Sequence, residues 1–349
     1  MAATPRFPAR SMNTTLVKSR PSALLEPACV PSERAGGDSG AIPAQSAARG
    51  SRFRYDGLFW RRLAYLGSAY GPEWWKRAAP PFVAAIIFAL VRQNRQGAVE
   101  NLRRVLGARG RVAELRDGLR LFSEFAHCVT ETLELHSPRA RELAIEVGID
   151  EERELGDMLL RPRGLVVLTS HFGNWEVAAR VMQRFGRPVN VVMARESNPS
   201  VEAFQRETRE RMRLRVIHSD SSLFSSFNMI HALRRGEVVA MQIDRSAPGH
   251  VTREVPFFGR PARFQYGPFV LARLAGVPIL PVFAVRTGVR SYRILPEALR
   301  SIPRAAGEAE TLGVMQDVVR GLERHVRDYP YQWFQFAPFW EDTPAGRAG

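Results

Sequence analysis

Hydrophobic and polar positions along the chain fall into three textures. Up to about residue 50 the sequence is rich in Ala, Pro, Ser, Gly and Arg without sustained periodicity, the composition of a disordered tail. From residue 53 to Pro138 the pattern is helical. An apolar and aromatic stretch covers 58–70, an apolar run covers 78–91, and residues 93–106 and 113–135 repeat at helical spacing through Leu115, Leu119, Phe122, Ala126 and Val129. Beyond Pro138, short β-branched runs alternate with helical stretches. Strands are expected at 144–147, 165–169, 189–193, 238–243, 279–285 and 292–295, and several are almost continuously apolar, as suits strands buried on both faces of a parallel sheet. Helices are expected at 175–184, 199–213, 223–234, 269–274 and 312–328. The chain therefore divides into a low-complexity tail (1–52), a helical N-terminal subdomain (53–140) and an α/β domain (141–341) with a mixed, mostly parallel sheet flanked by helices. No internal repeat of solenoid spacing is present.

The run 78–91 is short for a bilayer span, which needs roughly 20 apolar residues. Trp74, Trp75, Lys76 and Arg77 stand just before it, and paired indoles beside cations suit a membrane interface. The competing reading is a plain core helix begun by Pro80 and Pro81. Net charge sharpens the picture: +15 with a pI near 11.0 attracts nucleic acid, acidic lipid head groups or an acidic carrier protein, although surplus arginine also serves solubility. No helix-turn-helix, zinc-finger or RNP-like pattern supports a nucleic-acid partner. Cys29 and Cys128, the only two cysteines, suggest neither a disulfide framework nor a metal site. Arg6, Arg10, Lys18 and Arg20 interrupt every apolar run at the N-terminus, so no cleavable export signal is expected.

Candidate chemistry concentrates in the string LVVLTSHFGNWE, residues 165–176. An apolar strand runs to Thr169, and His171 follows at its carboxyl end, where open α/β sheets place their sites. Gly173 and Asn174 supply a turn, with Asn174 a candidate N-cap, so that Glu176 falls in the first turn of the next helix. A carboxylate there can fold back onto the imidazole and leave the other ring nitrogen free to take a proton. The spacing alone is weak. Context adds weight, since His171 alone of the seven histidines has an acid five residues on. A structural histidine capping the strand end is the plain alternative.

The string HFGNWE resembles the bacterial lipid A late acyltransferases, the lauroyl and myristoyl transferases, within the wider H-x4-D/E glycerolipid acyltransferase superfamily. Further blocks are similar in order: Asn101-Leu102; Ala194-Arg195 with Asn198-Pro199, Arg209 and Arg211; 235–239 leading to Asp244; 255–259; Gly267-Pro268; and Tyr329-Pro330 with Gln332-Trp333. The likeness covers roughly residues 58–340. The chain departs from the family in its short N-terminal apolar helix, in Ser246 where relatives often carry Asp, and in FQFAPFW (334–340) where they are Arg-rich. These departures bear on the acceptor more than on the reaction.

The resemblance implies a glycerolipid acyltransferase-like fold and transfer of a fatty acyl chain from acyl-carrier protein or acyl-CoA to a lipid hydroxyl. No zinc-type ligand cluster appears in the sequence, so no metal is expected, and no other cofactor. The acceptor is a lipid A precursor or a comparable lysophospholipid or specialised lipid. No Ser sits in a nucleophile elbow and neither cysteine has a reactive context, so direct attack assisted by His171 and Glu176 is expected over a covalent acyl-enzyme. Backbone amides near Gly173, or one of Arg195, Arg209 and Arg211, would meet the oxyanion. The arginines have a second candidate role on acceptor phosphate, against a solvated helix face for Arg211. Asp244, also in the expected substrate-binding set, could orient an arginine or the neighbourhood of His171, or be an ordinary strand-end carboxylate. Gly173 and Asn174 complete the expected substrate-binding set. A monomer at the cytoplasmic face of the inner membrane, peripheral or shallowly anchored, is the expected state.

Overall fold

The computed structural model describes residues 15–16, 58–137, 146–149, 152–160, 163–194, 214–219, 223–245 and 250–340. The expected helix over 199–213 lies outside them, as do Arg195, Arg209, Arg211 and Ser246. Four helices come first: α1 (Leu58–Tyr70), α2 (Glu73–Leu90), α3 (Arg92–Leu106) and α4 (Arg111–Leu135). The 3.6-residue repeat of α4 buries Leu121, Phe122, Cys128 and Leu135, and Ala84, Ala98 and Leu102 pack with the first three.

The core-helix alternative for 78–91 is corrected in two respects. The helix begins at Glu73, with Pro80 and Pro81 in its interior, and it buries only Pro80 and Ala84. An interior proline removes a helical hydrogen bond. Here the turns before the prolines are tied from outside, by Lys76 to Glu134 at 3.0 Å and by Arg290 to Glu73 at 2.9 Å. No single helix among the described residues is long and apolar enough to cross a membrane, and α2 meets α3 at a bend of 103°.

An eight-stranded sheet follows, built from β1 (Thr15–Leu16), β2 (Glu146–Ile149), β3 (Leu165–Thr169), β4 (Val189–Met193), β5 (Arg215–His218), β6 (Val238–Gln242), β9 (Ile279–Gly288) and β10 (Ser291–Pro296). The order is β1-β2-β10-β9-β3-β6-β4-β5. All pairings are parallel except β1 with β2 and β9 with β10, so the fold is the mixed, mostly parallel α/β sheet that the apolar runs imply. A separate hairpin, β7 (Thr252–Phe257) with β8 (Arg260–Gln265), was not foreseen, and neither was β5. Phe257 from that hairpin is wholly buried in the core.

Alternation along β3 divides the core. Val166 and Leu168 face a layer containing α7 (Leu223–Arg234), α8 (Gly267–Ala275) and α9 (Glu308–Asp328), whereas Leu165 and Val167 face α5 (Glu152–Leu160) and α6 (Trp175–Gln183). After α9 the chain runs back as a strap, 329–340, over the N-terminal helices. Asn101 donates to the carbonyls of Gln335 (3.1 Å) and Ala337 (2.8 Å) and accepts from the Phe339 amide (2.9 Å). FQFAPFW thus serves as packing, with Phe334 and Trp340 buried and Trp340 stacked on Phe257.

One helical histidine makes the seam between α4 and the sheet sensitive to acid. Burial, and secondarily the Arg286 charge, push the His127 pKa down to about 4. The unfolded chain takes up this proton below about pH 6.5, and the folded chain resists it until about 4. Stability should therefore fall with pH across that window, and His127→Gln should flatten the decline. Melting temperatures measured from pH 7 to pH 4 check this, and identical slopes for the two proteins would refute it.

Candidate active site

Register places the two central residues. Strands β3 and β6 run parallel with Thr169 opposite Gln242, so residues two positions beyond each, His171 and Asp244, emerge side by side at the carboxyl edge. Asp244 Oδ1 lies 2.9 Å from His171 Nδ1, and the His171 backbone N–H donates to both carboxylate oxygens at 3.0 Å. The Asp244 side chain is 0% exposed and that of His171 24%. Nε2 of His171 makes no hydrogen bond among the described residues, while Nδ1 is held. That arrangement fits a base whose proton-accepting nitrogen faces outward.

A buried carboxylate needs donors, and the strap supplies them. Trp333 Nε1 donates to Asp244 Oδ2 at 3.1 Å and Gln335 Nε2 at 2.8 Å. Gln335 also reaches the Asp244 carbonyl at 3.0 Å and accepts from Arg245 Nε at 3.3 Å. Burial alone pushes the Asp244 carboxyl up, but the adjacent His171 and Arg245 charges and the hydrogen bonds from His171 and Gln335 outweigh it and hold the pKa below the ordinary carboxylate range. Trp333, Gln335 and Arg245 were not foreseen as site residues. Their only signal was the conjunction of Gln332-Trp333 with a strand-end aspartate.

The expectation that Glu176 orients His171 is corrected. Glu176 Oε2 lies 2.5 Å from Nε2 of His136, the C-cap of α4, and the carboxylate on the His171 ring is that of Asp244. In the first turn of α6, the Glu176 side chain projects toward α4. Asn174 points the same way: as N-cap it accepts from the Glu176 amide at 3.2 Å, while its Nδ2 donates to Thr132 Oγ1 at 2.9 Å and Tyr292 Oη at 3.2 Å. The Asn174 side chain is thus committed to the framework, not to a substrate.

Gly173 is likewise structural. Its N–H donates to the Gln332 carbonyl (2.8 Å) and that of Asn174 to the Ala284 carbonyl (2.9 Å), so neither is free to meet an oxyanion as expected. With φ at +58°, a Cβ at Gly173 would lie 1.8 Å from the Ala284 oxygen, so only glycine fits. The Phe334 amide donates to the His171 carbonyl at 2.7 Å, which closes the loop against the strap. No group of three or more His, Cys, Asp or Glu side chains able to hold a metal ion occurs among the described residues.

Comparison with known families now fits the geometry. Residues 56–342 match the family described as bacterial lipid A biosynthesis acyltransferase. No curated protein matches the chain. The family match spans most of the sequence, and the protein belongs to that family, which implies an acyltransferase.

Two substitutions separate framework from chemistry. Gly173→Ala should destabilise the fold by at least about 2 kcal/mol, since the new Cβ must displace backbone in a left-handed conformation. Glu176→Gln should lower the melting temperature by loosening the α4–α6 contact, and kcat per folded molecule should fall less than with Asp244→Asn. Denaturation curves beside turnover numbers test both. A fully stable Glu176→Gln protein without turnover would restore Glu176 to the chemistry.

Proposed function

We propose that this chain transfers a fatty acyl group from an acyl thioester, carried by acyl-carrier protein or coenzyme A, to a hydroxyl of a lipid A precursor. The observation that carries this reading is the His171 imidazole, fixed through Nδ1 by the buried Asp244, with Nε2 unengaged among the described residues. Nε2 takes the proton of the acceptor hydroxyl as its oxygen attacks the thioester carbonyl. The tetrahedral centre collapses with loss of the thiolate, which leaves as thiol once the imidazolium returns the proton. Asp244 holds the tautomer and stabilises the cation, the role of the carboxylate in a hydrolytic triad. Glu176 acts through α4 as a positioning residue. Arg195, Arg209 and Arg211 keep their candidate roles at the oxyanion or at an acceptor phosphate, on the chemistry of the guanidinium group.

The acceptor is an amphiphile, and the helical subdomain offers it a surface. Phe82, Val83, Ile86, Ile87 and Leu90 of α2 are exposed, with Leu63, Leu66 and Tyr70 of α1 and the paired Trp74 (67% exposed) and Trp75. A continuous face of this kind exceeds the scattered apolar exposure of ordinary soluble surfaces. We assign it to the membrane interface, on the cytoplasmic side of the inner membrane, where thioester donors are made. Lys76 does not join that surface as expected, because its side chain turns inward to Glu134 and Glu73.

His171→Ala should lower kcat about 10²–10⁴-fold, roughly 3–5 kcal/mol of barrier, with the fold intact. Asp244→Asn should approach that loss because the amide no longer favours the required tautomer. Acyl transfer by purified variants, read by mass spectrometry of the lipid product, is the test, and near-normal turnover of His171→Ala would overturn the assignment. Attachment is checked separately. Replacing Phe82 and Ile86 together by Glu should move the protein from the membrane to the soluble fraction, whereas high salt should release only part of the wild type, since screening leaves apolar burial untouched. Complete release of the wild type by salt would contradict the apolar anchor.

A further inference from the structure

An open groove of about 1020 Å³ lies between α2, the start of α4 and the strap, away from the residues that touch His171. Four arginines line it: Arg109, Arg111, Arg116 and Arg120. The one acid there, Asp117, is already engaged by Arg109 at 3.3 Å and by the Tyr331 hydroxyl at 2.8 Å. Arg111 and Arg116 make no hydrogen bond or ion pair among the described residues. Arg120 stacks its guanidinium over the Tyr331 ring at 4.2 Å. Stacking fixes the plane of the fork and leaves its in-plane N–H donors free. Arg116 and Arg120 stand one helical turn apart on the same face, a like-charge pairing that an unliganded helix disfavours and a bound anion would relieve.

The other walls are apolar. Pro81, Ala113 and Leu119 line the groove, with Val112, 82% exposed, at its edge. Pro81 adjoins the exposed α2 face at Phe82. Three guanidinium groups with no acid partner among the described residues, over an apolar floor that opens beside an apolar helix face, match a ligand with phosphate at one end and hydrocarbon at the other. Tyr331 links the groove to the chemistry. Two residues on, Trp333 donates to Asp244, and the next residue's amide donates to the His171 carbonyl. An amphiphile seated here would rest on the segment that holds the catalytic pair.

We propose that this groove is the subsite for the phosphate-bearing head of the acyl acceptor, with Arg111, Arg116 and Arg120 as its phosphate ligands. The proposal rests on the acyltransferase reading for the identity of the ligand, but not for the existence of the site. It makes phosphorylation of the acceptor a determinant of specificity, separate from recognition of the hydroxyl that is acylated.

The test uses the full-length protein in detergent micelles and a phosphorylated glycolipid acceptor, alongside the same glycolipid after enzymatic removal of its phosphate. Wild type should bind the phosphorylated form more tightly, by about tenfold, the scale of one lost charge-assisted contact. The double variant Arg116→Gln, Arg120→Gln should bind both forms alike. In transfer assays the double variant should raise KM for the phosphorylated acceptor by a similar factor while kcat changes little. Arg116→Lys, Arg120→Lys should recover part of the preference, because charge is kept and the fork is lost, and this variant guards against a folding defect. Equal binding of the two glycolipids by wild type would overturn the subsite. So would a double variant that keeps the preference, or one whose KM rises for the thioester donor instead. Phosphate-dependent binding without acyl transfer by the wild type would support the groove while overturning the acyltransferase reading.

Discussion

A carboxylate removed from water must be surrounded by donors, and much of the sheet's carboxyl edge is arranged to meet that requirement at Asp244. Strand register brings it beside His171, but register alone would leave a buried charge with one partner, an arrangement that strongly destabilises a fold. The strap resolves this. Trp333 and Gln335 each donate to Oδ2, while Arg245 lies close enough to add a favourable charge and anchors on Gln335. The C-terminal segment is therefore part of the site, not a tail behind it. Its own backbone is held in turn by Asn101 of α3, which ties the helical subdomain to the segment that contacts Asp244.

The second coupling runs through α4. Glu131 accepts from Arg286 at 2.9 Å and from Tyr292, and Glu134 accepts from Arg290 at 2.7 Å. Burial pushes the Tyr292 hydroxyl pKa up, so it stays a donor to Glu131, and its oxygen receives Asn174. Asn174 and Glu176, the two polar residues after His171 in the HFGNWE string, thus face a polar seam on α4. That seam fixes where the loop leaves β3, and with it the direction of the His171 ring. An H-x4-E spacing reads as a dyad, but here the acid five residues on secures the loop from behind while a different acid holds the ring.

The sequence made the α/β architecture legible because four of its strands, β3, β4, β6 and β9, are buried on both faces over most of their length, and continuous apolar runs such as 165–169 have few other uses. Strand β5 and the β7–β8 hairpin escaped notice for the opposite reason. Arg215, Glu254 and Arg263 interrupt them with charge, and their stability comes from neighbours instead of pattern. His171 was legible from its place after a buried strand, and Asp244 was noticed without a definite role. Its partnership depends on register between strands some 70 residues apart, which no local window contains. The same limit hid His136, Gln335 and the arginine groove, each assembled across helices or from opposite ends of the chain. Glu176 misled because its spacing satisfied a local rule while tertiary packing directed its side chain elsewhere.

Net charge is the property whose meaning changes most once the fold is known. A balance of +15 suggests one diffuse attraction to anionic partners, yet among the described residues some arginines are tied into the fold and others are not. Arg245, Arg286 and Arg290 are committed to carbonyls and carboxylates of the protein itself, which leaves them little to offer an outside anion. Arg111, Arg116 and Arg120 are gathered around one groove without acid partners among the described residues. Composition cannot separate the two kinds, since both add equally to the pI. Placement does, because a guanidinium already shared with a buried glutamate has little left to offer a phosphate, whereas one stacked on Tyr331 keeps its donors free. A few side chains beside the apolar face of α2, with no acid partner among the described residues, thus offer an anion something that the total charge does not reveal.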